Sequence, residues 1–124
     1  MADKCVWTGA SGRKYSFYVY ARHPRIIKGQ MGGYIYAKLD QGNTWLPIYI
    51  GQGDIGVRCT QSHQIECIES KGATHVHLKI TADEYIRKSQ ERDLLAAYPQ
   101  AYAPTGLCPD WLQSARGRVE CSSR

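Results

Sequence analysis

Long apolar runs are missing from this 124-residue sequence. None approaches the roughly 20 residues that cross a bilayer as a helix. The stretch after Met1-Ala2-Asp3-Lys4 lacks the charged region and apolar core of a signal peptide. A cytoplasmic protein with no membrane contact is therefore expected. CxxC spacing is also missing. The five cysteines, Cys5, Cys59, Cys67, Cys108 and Cys121, are odd in number and scattered, which argues against both a disulfide framework and a zinc ribbon. Free thiols in a reducing compartment are expected. No internal repeat or low-complexity segment occurs. Acidic residues are the scarcer sign, 11 against 16 basic, for a net charge of +5 and a pI near 9.0. That balance favours a polyanionic partner, but only modestly. Part of the excess lies in the ends, at Lys4, Arg13, Lys14, Arg22, Arg25, Lys28, Arg116, Arg118 and Arg124, where a solvated tail is the plainer alternative.

What the chain does have is tyrosine in two short apolar runs, Gly33-Tyr34-Ile35-Tyr36 and Tyr49-Ile50-Gly51. Between them Gly42-Asn43 predicts a tight hairpin turn, because both central residues of a primed turn need positive φ. Counting outward from that pair sets Leu39 opposite Leu46, Ala37 opposite Ile48, Tyr36 opposite Tyr49 and Ile35 opposite Ile50. Side chains alternate between faces. One face then carries Ile35, Ala37, Leu39, Leu46, Ile48 and Ile50. The other carries Tyr34, Tyr36, Lys38, Trp45 and Tyr49.

The rest reads in order. Residues 1–13 are expected as a flexible start. Lys14 to Arg22 alternates as a strand, with Tyr15, Phe17, Val19 and Ala21 on one face. Asp54 is a plausible N-cap for a helix from about Ile55 to Ser70, closed by Gly72. Thr74 to Ile80 alternates again, with Val76, Leu78 and Ile80 opposite His75, His77 and Lys79. Thr81-Ala82-Asp83-Glu84 has the form of a capping box, predicting a helix from Ala82 to about Tyr98 stopped by Pro99. Pro104 and Pro109 mark a loop. The reading is one α+β domain over 14–112, a small antiparallel sheet of hairpin, third strand and extra N-terminal strand flanked by helices. A flexible basic tail follows over 113–124.

Tyr34-Ile35-Tyr36, Tyr49-Ile50-Gly51, Arg58 shortly into a helix, then a strand and a helix holding Glu91 in Glu91-Arg92-Asp93-Leu94-Leu95 form an ordered set. In this set the chain resembles the GIY-YIG nuclease domain family over roughly Gly32 to Tyr102. The resemblance implies that fold and a metal-dependent endonuclease acting on nucleic acid, DNA ahead of RNA. It implies that Tyr36 and Tyr49 are the two site tyrosines, Arg58 the site arginine and Glu91 the ligand of one divalent ion, Mg²⁺ or Mn²⁺. His63 follows as a second-tier candidate, five residues after Arg58 and so about 140° round an ideal helix.

The chemistry suits these groups. A hard cation takes oxygen ligands and stabilises phosphate and leaving-group charge. Arginine stays charged and bonds phosphate as a fork. A phenol, with a reference pKa of about 10, acts as a base only where charges favour its phenolate. Each residue also has a plainer reading. Two strand tyrosines commonly form an aromatic pair, and Arg58 alone is a solvated helix residue. Leu94, Leu95 and Tyr98 follow Glu91 on one helical face, so Glu91 points inward and needs a partner, either a basic side chain or a metal. Lys38 shares the tyrosine face and suits a phosphate contact or open solvent alike. His75 and His77 lack a third ligand, which favours surface over zinc. Two departures stand out: the first motif is YIY, and Tyr102 occupies the region where the family often has asparagine. No second DNA-binding domain is evident, so targeting falls to the basic ends, a homodimer or a protein partner. The alternatives to catalysis are a nucleic-acid-binding module and a protein-interaction domain of the same fold.

Overall fold

The computed structural model describes residues 3–21, 29–57 and 65–101. Its strands are β1 (Asp3–Thr8), β2 (Lys14–Ala21), β3 (Met31–Leu39), β4 (Trp45–Asp54) and β5 (His75–Ile80). Helix α1 (Ile65–Ser70) precedes β5, and helix α2 (Glu84–Ala97) follows it, ending in a 3-10 turn at Pro99–Ala101. The strands form one open antiparallel sheet in the order β1-β2-β5-β3-β4, so the fold is α+β. No helix among the described residues is long and apolar enough to cross a membrane.

The alternation in Lys14–Ala21 survives intact: Tyr15 and Phe17 are buried, while Tyr18 and Tyr20 face outward. The flexible start expected over residues 1–13 is corrected. Asp3–Thr8 pairs along its length with β2 and becomes the edge strand, with Trp7 beside Tyr15. The turn that follows is pinned to α2. Asp93 accepts hydrogen bonds from the Ser11 amide (2.8 Å), the Ser11 hydroxyl (2.7 Å) and the Tyr15 phenol (2.7 Å). Those bonds hold the Asp93 carboxyl below the usual carboxylate range, the Tyr15 bond contributing most.

The β3–β4 hairpin keeps the expected pairs Tyr36–Tyr49 and Ile35–Ile50 but reaches them by another route. Its turn is one residue longer. Asn43 N–H bonds to Asp40 C=O, and Asp40 N–H to Thr44 C=O. Asn43 alone takes the left-handed conformation, at φ 60°. This is the three-residue hairpin, a type I turn followed by a left-handed residue. Its register sets Leu39 opposite Trp45 and Ala37 opposite Pro47. An extra residue on β4, Ile48, then bulges out and restores the expected count at Tyr49. The bulge exchanges faces locally. Trp45 joins Ile35 and Ala37, Ile48 joins the tyrosines, and Leu46 moves opposite Lys38.

Both faces of this hairpin are covered. Tyr34, Tyr36, Ile48 and Tyr49 pack with Ile55, Cys67, Ile68, Val76 and Leu78. Ile35, Ala37 and Ile50 pack on the other face with Trp7, Tyr15, Phe17, Leu94 and Ala101. Asp54 caps a helical turn at 55–57, its carboxylate accepting from Val57 N–H (3.2 Å), as expected. Residues 58–64 of the expected helix lie outside the described residues. Gly72 closes α1 at φ 91°, its N–H donating to Glu69 C=O. Cys67 is disulfide-bonded, which corrects the free-thiol expectation at that position, whereas Cys5 keeps its thiol.

Two further readings are corrected. Helix α2 is capped by Asp83, which accepts from Ile86 N–H at 3.0 Å, and not by Thr81. His75 and His77 do not share a solvent face. His77 is 0% exposed, because β1 and α2 close that side of the sheet.

Candidate functional site

Tyr36 and Tyr49 are cross-strand neighbours, on the inner strand β3 and the edge strand β4, and both are core residues, 4% and 5% exposed. Tyr34 organises them. Its ring stacks on that of Tyr49 at 6.2 Å and meets that of Tyr36 edge-on at 5.8 Å. Its phenol also lies over Gly51, where any Cβ would collide with the ring. Glycine after Tyr49-Ile50 therefore has a steric cause: the space of its side chain is filled by Tyr34.

Glu91 lies half-buried on α2 and lines a small recess with Phe17, Gly33, Tyr34, Gly51 and Arg87. The helix is held over this part of the sheet by Arg87, whose Nε–H donates to Gln52 Oε1 at 2.8 Å. Gln52 pairs with Gly33, and Gly33 shares the face of Ile35. The recess thus meets the hairpin at Tyr34 and Gly51, on the face opposite the rings of Tyr36 and Tyr49. Lys38 is exposed at the other end of β3, its side chain running beside the Gly72 turn and away from the recess. Arg58 and His63 lie outside the described residues.

Arg87 is the residue that sequence reasoning passed over. It is 6% exposed, and its Nη1 donates to Ala82 C=O (2.9 Å) and Thr81 C=O (3.4 Å). The signal was available. Arg87 lies four residues before Glu91 and seven before Leu94, on the same inward stripe that drew attention to Glu91.

His77 forms a second buried cluster. Trp7 Nε1–H donates to its Nδ1 at 2.9 Å, and its ring meets Trp45 edge-to-face at 4.6 Å. Burial first, and the neighbouring His75 second, push its pKa down to about 4. The Nδ1 bond puts the proton on Nε2, which has no hydrogen-bond acceptor among the described residues. A neutral imidazole walled in by indoles is a packing element, not a surface histidine.

No group of three His, Cys, Asp or Glu side chains gathers around a metal position among the described residues. A magnesium-type site needs less: one or two carboxylates, completed by water and substrate phosphate. The Glu91 carboxylate in an open recess meets that minimum. Comparison of the chain with protein-family models, with curated proteins and with solved structures finds no match.

Proposed function

We propose that this protein is a metal-dependent endonuclease of the GIY-YIG type, hydrolysing phosphodiester bonds of nucleic acid, with DNA ahead of RNA as substrate. The observation that carries the reading is that Glu91 lines one recess with Tyr34 and Gly51, one residue from each tyrosine motif, with β3 between β4 and β5. Glu91 would hold one Mg²⁺ or Mn²⁺ ion, which when bound supplies positive charge for the phosphate and the leaving oxygen. Arg58 would neutralise charge on the non-bridging oxygens through its fork. Tyr36 and Tyr49, whose rings lie on the face opposite the recess, would support the site by packing against Tyr34 rather than by taking a proton there.

The burial of both tyrosine rings supports a second reading, a domain that binds nucleic acid without cutting it. One experiment separates the two. Purified protein is incubated with single- and double-stranded DNA and RNA in Mg²⁺ or Mn²⁺, beside Glu91→Gln and Arg58→Ala. Endonuclease action predicts product from the wild type and a loss of at least about 100-fold in each variant, the scale set by charge-stabilising groups in other enzymes. Salt-sensitive binding with no product identifies the second reading. Equal cleavage by all three proteins removes the assignment of these residues.

A further inference from the structure

One face of the sheet is only half covered. Tyr34, Tyr36, Val76 and Leu78 lie on it, beneath Ile55, Cys67 and Ile68. The same face continues across β2 and β1, because Tyr18 stands opposite Leu78, Tyr20 opposite Val76 and Lys4 opposite Tyr18. No described element covers that half. Tyr18 is 45% and Tyr20 37% exposed, and Val6 and Ile80 stand in solvent beside them. The reverse side of the same two strands is closed by α2, with Trp7, Tyr15 and Phe17 buried. A contiguous exposed patch of large apolar and aromatic side chains marks a contact surface.

Charge indicates the partner. Lys4 and Lys14 are exposed on this face, and neither forms an ion pair among the described residues. The other outward residues of β1 and β2 are Val6, Thr8 and Ser16, so these strands set two positive charges and no carboxylate around the tyrosines. Lys4 Nζ lies 5.3 Å from the centre of the Tyr18 ring, which places cation and aromatic plane side by side. A second copy is the poorer occupant, because a two-fold contact over so small a patch brings lysines toward lysines.

We propose that the outward face of β1 and β2 is a platform for a single strand of nucleic acid, with bases stacked on Tyr18 and Tyr20 and phosphates met by Lys4 and Lys14. The proposal rests on the nucleic-acid reading above for its class of ligand and adds the preferred form, one strand rather than two. Tyr18 and Tyr20 are two residues apart on one strand, so their rings stand about 7 Å apart. Successive bases of an extended strand can lie one on each. Sheet aromatics hold unpaired bases in this way, whereas a duplex keeps its base faces stacked inside. The platform lies on the face opposite the Glu91 recess, so it holds a strand without metal.

The test therefore begins in EDTA. Binding of a short fluorescein-labelled oligothymidylate, and of a labelled duplex, is followed by anisotropy over a range of KCl. Tyr18→Ala and Tyr20→Ala remove the rings. Lys4→Gln combined with Lys14→Gln removes the charges. Tyr85→Ala, at an exposed tyrosine on α2, is the control. Circular dichroism checks the folding of each. Expected are tighter binding of the single strand than of the duplex and a Kd about tenfold weaker in each tyrosine variant. The lysine pair should lower the salt slope by about 1.4, at roughly 0.7 per phosphate contact. The control should bind as the wild type does. Folded tyrosine variants that keep the wild-type Kd overturn the proposal, as does a wild type that binds no single strand. So does a wild-type dimer, seen by sedimentation in place of strand binding, that the tyrosine variants dissolve. Adding Mg²⁺ or Mn²⁺ separates this proposal from the endonuclease reading. Tyrosine-dependent binding without product keeps the platform and removes the nuclease; product with tyrosine-independent binding does the reverse.

Discussion

His77 shows how far one side chain can carry a protein's response to pH. The folded state holds it neutral, with a pKa pushed down to about 4 by burial, against 6.5 in the unfolded chain. Between those values the unfolded chain takes up a proton that the folded one refuses. Stability is full above about pH 6.5 and is lost as pH falls toward about 4, by up to roughly 3 kcal/mol. Below that both states are protonated and the loss stops growing. Urea unfolding at pH 7 and pH 4.5 measures this. His77→Phe should flatten the dependence, at a cost of about 1–3 kcal/mol for the stranded Trp7 N–H; an unchanged pH slope in that variant assigns the effect elsewhere. The residue scale is also where sequence reading did best and worst. Glu91 was legible because an acid on an apolar stripe is conspicuous. Arg87 on the same stripe was as legible and went unread. His77 was not legible at all, since it alternates with His75 and Lys79 like a solvent face, and its burial comes from Trp7 and α2, far away in the chain.

At the scale of elements, local chemistry located most of the strands and helices but not their ends. Thr81 and Asp83 both precede α2 and both suit an N-cap. Asp83 wins because its carboxylate reaches Ile86 N–H, while Thr81 Oγ1 points back to Lys79 C=O. Asp83→Ala should cost about 1 kcal/mol and Thr81→Ala clearly less. Chemical denaturation of the two variants decides between them, and the reverse order would contradict the cap. The hairpin carries a subtler lesson. Its Tyr36–Tyr49 pair was legible only because two deviations cancel: a turn longer by one residue and a bulge of one residue at Ile48. Asn43 in the left-handed region satisfies either turn, so the local signal could not choose. The exchange of Trp45, Leu46 and Ile48 between faces was hidden for the same reason. Its consequence is that Trp45 stands against His75 and His77, away from the tyrosines.

At the scale of the whole molecule, the hairpin, β5 and the helices make one unit, and the β1–β2 hairpin is joined to its flank. β1 was missed because Cys5 and Trp7 alternate over too few residues to stand out beside a glycine-rich turn. It is more than an ornament. Trp7 is buried, hydrogen-bonds His77 and packs edge-on against Tyr98 at 5.3 Å. Removing residues 1–8 should therefore lower Tm by more than about 5 °C and expose the edge of β2. Scanning calorimetry of the truncated chain checks this, and an unchanged Tm would show β1 to be dispensable.

The strand order has a consequence in time as well as in space. Sequence neighbours β2 and β3 do not pair; β5, made last, lies between them. On a ribosome adding about 5–20 residues per second, two hairpins are complete while the strand that joins them is still inside the enzyme that makes it. For on the order of seconds the nascent chain displays two unsealed sheet edges, β2 and β3, the second bearing the tyrosine motif. Such edges recruit other strands. The emergence of His75–Ile80 is the moment at which this protein stops being a hazard to its neighbours and acquires its central strand order.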